Sequence, residues 1–182
     1  ELVLSGLLNN PIVQAINSPG GRAVGLWGQY AHLMNCVYTD EELGFVWQPR
    51  AVGPSGLPTL MGDQNIPVIA PLGFGAEGQK LNVNGDTAAG AIAAGLHADR
   101  LLLLTDVSGV KNAQGDVVTE LSPDQINALT QDGVIEGGMI PKTETALTAI
   151  KEGVRAVVIL DGRAPNACLL ELFTDHDAGS LI

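Results

Sequence analysis

Arg-Leu-Leu-Leu-Leu-Thr-Asp, at residues 100–106, is the stretch that decides the fold, and Val-Ser-Gly-Val-Lys follows it at residues 107–111. A short apolar run that ends in turn-forming residues is typical of a strand buried on both faces of a sheet. Similar runs at residues 65–71 and 155–161, with a weaker one at residues 23–26, predict further strands. Helical patterns separate these runs. The sequence therefore predicts an α/β fold: an open, mainly parallel sheet with helices on both faces, in three αβα layers.

Caps and apolar periodicity predict four helices between and after these strands. Residues 86–97 are rich in Ala, and Asp86 is the predicted N-cap. The capping-box spacing of Ser-Pro-Asp-Gln at residues 122–125 predicts the start of a second helix. Two more helices are predicted at residues 141–151 and 165–173. The predicted inner face of the last one consists of Ala167, Cys168, Leu169, Leu170 and Leu172.

Two further segments carry weaker patterns. Residues 33–52 indicate a hairpin or meander. The opening Glu-Leu-Val-Leu-Ser-Gly-Leu-Leu resembles the middle of a helix and has neither an initiator Met nor the features of a signal peptide. We therefore expect a processed or amino-terminally truncated chain, with the cytoplasm as its default location.

Composition and charge exclude several classes of partner. The formal net charge is -11, and no cluster of Lys or Arg rises above the acidic background, so nucleic acid is not an expected partner. No apolar run approaches the roughly 18 to 20 residues that a membrane span needs. Cys36 and Cys168 lie far apart without metal-ligand spacing and are expected to be reduced thiols.

Asp106 is the first candidate for a chemical role. It ends the leucine run, and the carboxyl end of a parallel strand faces the crevice in which α/β sheets bind ligands. A carboxylate there can hold Mg²⁺ or contact a nucleotide. The alternative, an Asx-turn residue that closes the strand, stays open.

A second candidate group lies at residues 82–86, Asn-Val-Asn-Gly-Asp. Alternation places Asn82 and Asn84 on one side of an extended segment, with Asp86 at a helix start. Such a group could bind a polar substrate and orient cations. Helix capping by Asp86 is the competing explanation, and spacing does not decide between the two.

Lys142 is the third candidate. It follows Gly137 and Gly138 in Gly-Gly-Met-Ile-Pro-Lys, in the first turn of a predicted helix, where a cation opposes the helix macrodipole. The glycines allow unusual backbone angles and close approach to a ligand. Together these features outline a phosphate site, although a solvated surface lysine is the alternative.

Taken together, five segments resemble the amino-acid kinase superfamily and, within it, the N-acetylglutamate kinases. They are residues 82–90 (Asn-Val-Asn-Gly-Asp-Thr-Ala-Ala-Gly), 102–110 (Leu-Leu-Leu-Thr-Asp-Val-Ser-Gly-Val), 137–142 (Gly-Gly-Met-Ile-Pro-Lys), 161–163 (Asp-Gly-Arg) and 169–175 (Leu-Leu-Glu-Leu-Phe-Thr-Asp). The resemblance implies ATP-dependent phosphorylation of the γ-carboxylate of N-acetyl-L-glutamate, as in arginine biosynthesis. Mg²⁺ would arrive with the ATP rather than occupy a dedicated protein site.

The resemblance also implies roles for individual residues. Lys142 would stabilise the transferring phosphoryl group and Asp86 would orient the catalytic lysines. Asn82 and Asn84 would bind the acetylglutamate. Residues of two segments would line the nucleotide site: Thr105, Asp106, Val107, Ser108, Gly109, Lys111, Gly137 and Gly138.

The chain departs from the family pattern in two places. Family members open with a lysine-bearing strand and glycine-rich loops that have no counterpart here, so we expect the 182-residue chain alone to be inactive. Gln29 and Tyr30 stand where relatives have Lys-Asp-Gly after a glycine. On this pattern, residues 1–72 would be the remainder of an acetylglutamate-binding and dimerisation lobe, and residues 73–182 a nucleotide-binding lobe.

Other functions within this family remain open at this point. One is a non-catalytic regulatory or binding domain; another is a kinase for aspartate, carbamate or a nucleotide. The resemblance implies a homo-oligomer, either a dimer or a hexamer. The segment from residue 171 to residue 179 is similar to that of arginine-inhibited members, which implies feedback by arginine. A plastid location would apply to a plant-like source.

Overall fold

The computed structural model describes residues 2–27, 33–38, 47–52, 56–174 and 178–182. Contacts divide the chain into two compact units, Glu1–Leu96 and His97–Ile182, which we call unit 1 and unit 2. The sequence placed a division after residue 72 instead. The two boundaries differ because Leu81, Val83 and Ala88 pack into one apolar cluster with residues of the first part of unit 1. The functions suggested for the two lobes stay predictions.

Unit 1 contains a parallel strand pair and a mixed sheet. The segments predicted at residues 23–26 and 65–71 form the parallel pair, with a register from Ala23↔Ile66 to Trp27↔Ala70. The predicted hairpin within residues 33–52 is also present. The elements in chain order are a π-helix Leu2–Leu8, α1 Asn9–Asn17, β1 Ala23–Trp27, β2 Met34–Tyr38, β3 Trp47–Val52, α2 Leu57–Gly62, β4 Ile66–Ala70, β5 Leu72–Phe74, β6 Lys80–Asn82 and α3 Gly85–Gly95.

Helix α1 packs closely on the β1–β4 pair. Asn9 is buried, and its side-chain amide donates to the carbonyl oxygen of Val68 at 2.8 Å. A Cβ atom at Gly25, the partner of Val68 in the pair, would clash with the Asn9 side chain. The absence of a side chain at Gly25 therefore sets how near the helix comes to the strands. The helical character predicted for the opening residues is confirmed.

The mixed sheet of unit 1 has the order β3-β2-β5-β6. Strands β5 and β6, three residues each, were not predicted because such short strands carry too little alternation. The sheet buries Met34 and Cys36 against Leu81, Val83 and Ala88. This cluster fixes the end of β6, from which residues 82–86 emerge.

Unit 2 contains one three-stranded sheet with the order β7-β8-β9. The first two strands are parallel, from Leu101↔Val157 to Thr105↔Asp161, and the third is antiparallel. Residues 157–160 are at most 1% exposed, as expected of a strand covered on both faces. The elements are β7 Leu101–Thr105, α4 Pro123–Gln131, α5 Met139–Lys151, β8 Val157–Asp161, α6 Ala167–Phe173 and β9 Gly179–Leu181.

The α/β class is confirmed, and the sheets are mixed in detail. Parallel pairing joins β1 to β4, β2 to β5 and β7 to β8. Antiparallel pairing joins the remaining neighbours. Within the described residues, no helix is both long and apolar enough to cross a bilayer.

Two helix predictions need correction. The N-cap of α3 is Asn84 rather than Asp86, because the Asn84 side chain accepts hydrogen bonds from the backbone N–H groups of Asp86 and Thr87. The apolar face predicted for α6 is wrong for most of its members. Ala167 is buried, whereas Leu169, Leu170 and Leu172 are 55%, 41% and 45% exposed. A helix of seven residues makes about two turns, so only one narrow stripe can face the sheet.

The other helix predictions hold with shifted ends. Ser122 and Gln125 form the predicted capping box at the start of α4. Helix α5 begins at Met139, two residues before the predicted start, so Lys142 is the fourth helical residue. Pro141 is tolerated there because the first backbone N–H groups of a helix have no partner within the helix.

Candidate functional site

The carboxyl ends of β7 and β8 lie side by side in unit 2. Thr105 is paired with Asp161, and the backbone N–H of Gly162 donates to the carbonyl oxygen of Thr105 at 2.8 Å. Asp106 follows directly and is exposed. Two carboxylates that leave adjacent parallel strands thus meet at the edge where α/β sheets bind ligands. Asp106 therefore lies at the carboxyl end of a parallel strand, as predicted.

Asp161 is held by a two-pronged ion pair. The Nε and Nη2 atoms of Arg163 each donate to one carboxylate oxygen at 2.9 Å, and the backbone N–H of Arg163 donates as well. The side-chain hydrogen bonds from Arg163, followed by the backbone bond, lower the pKa of Asp161 to about 2. The same contacts raise the pKa of Arg163, and the charge of Asp106 adds to that rise. Residues 161–163 were singled out above only for their resemblance to the family; their ion pair was not predicted, although an aspartate that ends an apolar run was available as its signal.

The segment that follows Asp106 folds back on itself as a short ladder. Val110 and Val118 are joined by an N–H···O bond of 2.9 Å, and Lys111 pairs with Val117. At the tip, the side-chain oxygen of Asn112 accepts from two backbone N–H groups at 3.0 and 2.9 Å. We call residues 106–118 the β7 loop. Its ladder holds the segment 106–108 exposed at the end of β7.

Gly109 marks the point where the β7 loop turns. Its φ of +146° lies in a region that side chains other than glycine rarely adopt, and the residue is buried. Val110 beside it is 1% exposed. Val107 and Ser108, by contrast, are exposed, as is Lys111. Residues 106–111 therefore include buried positions, Gly109 and Val110, and exposed positions, among them Val107, Ser108 and Lys111.

Lys142 lies in the first turn of α5. Gly137 has the left-handed φ of +55° that the sequence anticipated, whereas Gly138 has ordinary helical angles. Both glycines are exposed and Lys142 is half-buried. Thr143 is 2% exposed and its hydroxyl donates to carbonyl oxygens of the same turn, which fixes the helix start.

The topology of unit 2 places the start of α5 near the strand ends. Helix α5 packs against β8 and precedes it by a five-residue connection, residues 152–156. A helix that leads into a parallel strand runs antiparallel to it. Thirteen helical residues span about 20 Å and five strand residues about 16 Å, so the two elements match in length. The first turn of α5 therefore lies on the side of the sheet where β7 and β8 end.

The second group of predicted residues is in unit 1. Leu81 and Val83 are buried while Asn82 and Asn84 are exposed, which confirms the predicted alternation. The side-chain oxygen of Asn84 accepts from the Asp86 N–H at 2.9 Å and the Thr87 N–H at 3.2 Å. Its amide nitrogen remains as the group able to donate to a ligand.

Asp86 is half-buried in the first turn of α3. The positive end of the helix macrodipole favours a carboxylate at this position. With Asn84 as the cap, Asp86 is not needed for capping, which was the competing explanation of its presence. The structure groups Asn82, Asn84 and Asp86 in unit 1 and the other predicted site residues in unit 2.

Two further kinds of group bear on the chemistry of the described ranges: potential metal ligands and cysteine thiols. Within those ranges, no group of three or more His, Cys, Asp or Glu side chains is placed to hold a metal ion. Cys36 is buried, and burial raises the pKa of its thiol, an effect that a backbone hydrogen bond at Phe74 opposes. A thiol of this kind is a poor nucleophile. Gln29 and Tyr30 lie outside the described residues.

Two carboxylates at parallel strand ends, together with a lysine in the first turn of a helix, are features typical of α/β proteins that bind phosphate groups. The model of the amino acid kinase family matches residues 3–161. The chain belongs to the amino acid kinase family.

Relatives within the family are close in sequence. The chain is 66% identical over all 182 residues to a protein of Jannaschia sp. (strain CCS1) named acetylglutamate kinase, and 66% identical to one of the same name from Dinoroseobacter shibae. It spans 64% and 63% of the lengths of these two proteins. The resemblance to acetylglutamate kinases drawn from the five segments is thereby confirmed.

Solved structures agree with the fold. A protein called smu.665 from Streptococcus mutans UA159 has a TM-score of 0.85 at 30% identity, with 100% of this chain and 69% of that chain covered. An N-acetylglutamate synthase from Neisseria gonorrhoeae has a TM-score of 0.84 at 22% identity, with 97% and 41% covered. The second likeness concerns the fold alone.

Proposed function

We propose that the complete protein containing this chain uses ATP to phosphorylate the γ-carboxylate of N-acetyl-L-glutamate. The observation that carries the proposal is the 66% identity over the whole chain to proteins named acetylglutamate kinase. Because the chain spans less than two thirds of these relatives, the proposal concerns the complete gene product. The expected inactivity of the 182-residue chain by itself also stays a prediction.

The proposed reaction needs positioning and charge stabilisation more than acid–base catalysis. A carboxylate oxygen of acetylglutamate forms a bond to the γ-phosphorus of ATP while the bond from that phosphorus to the β,γ-bridging oxygen breaks. The products are an acyl phosphate and ADP. The carboxylate is already ionised at neutral pH, so no proton has to be removed from the nucleophile. Negative charge on the moving phosphoryl group is what the protein must offset.

Lys142 is the proposed source of positive charge in unit 2. It lies in the first turn of α5, whose backbone dipole also presents its positive end there. The left-handed Gly137 and the exposed Gly138 leave the backbone before this turn open to a phosphate. These features support a role for Lys142 in stabilising the transferring phosphoryl group.

Asn82, Asn84 and Asp86 are the proposed acceptor-side residues in unit 1. Asn82 is exposed, and its amide can hydrogen-bond the acetylglutamate. Asn84 would contribute through its amide nitrogen alone, since its oxygen caps α3. Asp86 would orient the catalytic lysines through its carboxylate.

The nucleotide would be held by residues of the β7 loop and the start of α5. The exposed members of this group would contact the base, ribose and phosphates: Asp106, Val107, Ser108, Lys111, Gly137 and Gly138. Thr105 is half-buried, and Gly109 is buried and would act through the shape of the loop. Mg²⁺ in such sites binds one or two carboxylates and the substrate phosphates. The exposed carboxylate of Asp106 would be available to the Mg²⁺ that arrives with the ATP, without forming a dedicated metal site. Magnesium would lower the charge of the triphosphate when bound.

The proposal is tested on the purified complete gene product. ADP release that depends on N-acetyl-L-glutamate is measured, and hydroxylamine is added to trap the acyl phosphate as a hydroxamate. Lys142→Met is expected to lower kcat by about 10²- to 10³-fold, the usual effect of removing one group that stabilises transition-state charge. Lys151→Met, at the other end of the same helix, is the matched control and should retain activity.

Two results would contradict the proposal. One is ADP release without hydroxamate, because it would mean that water and not a carboxylate accepts the phosphoryl group. The other is turnover with aspartate or carbamate that equals or exceeds turnover with acetylglutamate. An equal loss in the Lys142 and Lys151 variants would remove the role assigned to Lys142 while leaving the reaction itself in place.

We further propose that the complete protein forms a homo-oligomer, either a dimer or a hexamer. Its activity would be subject to feedback inhibition by arginine. It would be located in the cytoplasm, or in a plastid for a plant-like source. Four apolar side chains of the first two helices of unit 1 are at least half exposed and would support self-association: Val3, Leu7, Leu8 and Ile12. Analytical ultracentrifugation of the complete protein tests the oligomer, and a monomer mass would reject it. Activity unchanged at millimolar arginine would reject the feedback.

A further inference from the structure

A buried serine in the last strand is bonded to both sides of the β7 loop. Ser180 is 0% exposed. Its hydroxyl oxygen accepts from the backbone N–H of Val110 at 2.8 Å, and the hydroxyl donates to the carbonyl oxygen of Val118 at 2.6 Å. Seventy residues of chain separate Ser180 from Val110. One hydroxyl therefore inserts between the two arms of the loop, using both its donor and its acceptor capacity.

Gly109 lies close to the same hydroxyl, where a side chain would not fit. A Cβ atom at Gly109 would lie 2.6 Å from the Ser180 Oγ and 3.0 Å from a methyl group of Val117. The glycine therefore lets the loop backbone approach the serine closely enough for the Val110 bond. The left-handed φ of Gly109 independently favours glycine at that position.

Strand β9 gives the hydroxyl a fixed position. Ser180 lies opposite Ile159 in the antiparallel pairing with β8. On the other side of β9, the Leu181 N–H donates to Thr119 O at 2.8 Å and the Leu121 N–H donates to Leu181 O at 2.9 Å. Because β9 is paired with β8 along one edge, the sheet holds Ser180 in place independently of the β7 loop.

We infer that Ser180 is a positioning residue: it fixes where the β7 loop lies relative to the carboxyl end of β7. It thereby sets the nucleotide contacts of the exposed segment 106–108. The inference rests on the proposed nucleotide role of that loop. Without the hydroxyl, the buried N–H of Val110 loses its acceptor and Val118 O loses its donor. Water or a displaced loop must then satisfy these groups. Residues 82–86, in unit 1, have hydrogen bonds of their own at the start of α3.

The test compares the binding of nucleotides with the KM for acetylglutamate in the complete protein. Ser180→Ala should raise the KM for ATP by about 5- to 10-fold, the equivalent of losing roughly one buried hydrogen bond. The Kd of ADP, measured by calorimetry in the absence of acetylglutamate, should rise by the same factor. The KM for acetylglutamate should stay within twofold. Val154→Ala, which removes methyl groups from a buried position of unit 2 outside the loop, is the control for a general loss of stability.

Unchanged nucleotide binding in Ser180→Ala would overturn the inference, as would an equal effect in Val154→Ala. Should Ser180→Ala fail to fold, Ser180→Cys is the second variant. It keeps a side chain of similar size with a weaker donor and acceptor, and should give the same selective loss at smaller amplitude. Because ADP binding needs no acceptor, a failure of the proposed acetylglutamate kinase reaction would be seen separately in the wild-type protein.

Discussion

The two regions that carry the predicted site residues are built in opposite ways. In unit 1, the start of α3 within residues 82–86 is organised locally: Asn84 bonds to backbone groups two and three residues further along the chain. In unit 2, the β7 loop is organised from a distance, because its two arms are tied to Ser180, seventy and sixty-two residues away. The first region depends on a helix cap, and the second depends on the correct placement of the last strand.

This difference has consequences for mutation. A local cap can be lost with little effect beyond one helix end, because the rest of unit 1 does not use it. A distant anchor transmits changes in β9 to the β7 loop, since β9 is bonded to β8 on one side and to residues 119–121 on the other. Substitutions that displace β9 should therefore affect predicted nucleotide contacts that they do not touch.

Gly179→Ala is the largest expected disruption and acts on the distant anchor. A Cβ atom at Gly179 would clash with the carbonyl oxygen of Ile159 and lie 2.8 Å from the Leu160 Cβ. Because backbone in a paired strand cannot yield easily, we expect a loss of about 1 to 3 kcal/mol in the free energy of unfolding. The measurement is urea unfolding of the complete protein, read as a lower midpoint at unchanged slope.

The control for that substitution is Gly62→Ala at the end of α2. There an added methyl group meets nothing within 4 Å, so the change in unfolding free energy should stay within about 0.5 kcal/mol. The comparison of the two regions also predicts weaker ADP binding in Gly179→Ala with an unchanged KM for acetylglutamate. If ADP binding and the KM for acetylglutamate were impaired to the same extent, β9 would support the whole molecule rather than the β7 loop.

The same contrast explains what the sequence could and could not predict. Residues 82–86, the capping box at Ser122 and the leucine run at residues 101–104 are set by neighbours in sequence, and their patterns predicted alternation, a helix start and a buried strand. Even there the cap was assigned to Asp86 instead of Asn84. Asn and Asp are both favoured N-cap residues, and the sequence alone does not show which of two positions so close together caps the helix.

The unpredicted features depend on partners that are distant in sequence. Nothing near Ser180 in the chain indicates that its hydroxyl joins Val110 to Val118. The Asp161–Arg163 pair is an exception because both partners are local; the neighbouring end of β7 adds only the charge of Asp106, which contributes to the raised pKa of Arg163. The exposure of α6 likewise reflects how one short helix meets the sheet, which apolar content alone does not determine.

Asn84→Ala tests the local region, with a smaller expected effect than Gly179→Ala. Loss of the cap should cost about 1 kcal/mol in the free energy of unfolding, because the N–H groups of Asp86 and Thr87 lose their acceptor. Asn84→Ser should restore most of this stability, since serine caps helices about as well. The measurement is again urea unfolding.

The serine variant also separates the two roles proposed for Asn84. If Asn84 only caps α3, Asn84→Ser should have wild-type KM values. If its amide nitrogen also binds acetylglutamate, the KM for that substrate should rise although stability is restored. No loss of stability in Asn84→Ala would mean that the local cap is unimportant, and the contrast between the two regions would fail.

Arg163→Gln is the smallest expected effect and refines the description of the strand ends in unit 2. The substitution removes the guanidinium from Asp161 but keeps the backbone N–H that also donates to the carboxylate. The pKa of Asp161 should therefore rise from about 2 towards, without reaching, the ordinary value of about 3.9. A pH titration followed by carboxyl carbon NMR measures this, and Arg155→Gln, which breaks an exposed ion pair with Asp99 instead, should leave Asp161 at about 2.

The sign of the pH dependence follows from the lowered pKa. A carboxyl group whose pKa is lower in the folded state stabilises the fold above its unfolded value, near pH 4, and loses that contribution as the pH falls through about 2. Arg163→Gln should reduce this contribution above pH 4, so the loss of stability between pH 4 and pH 2 should be smaller in the variant than in the wild-type protein. The reduction should be small because the ion pair is at the surface. If the Asp161 pKa stays at about 2 in the variant, the local backbone bond and not the arginine sets it.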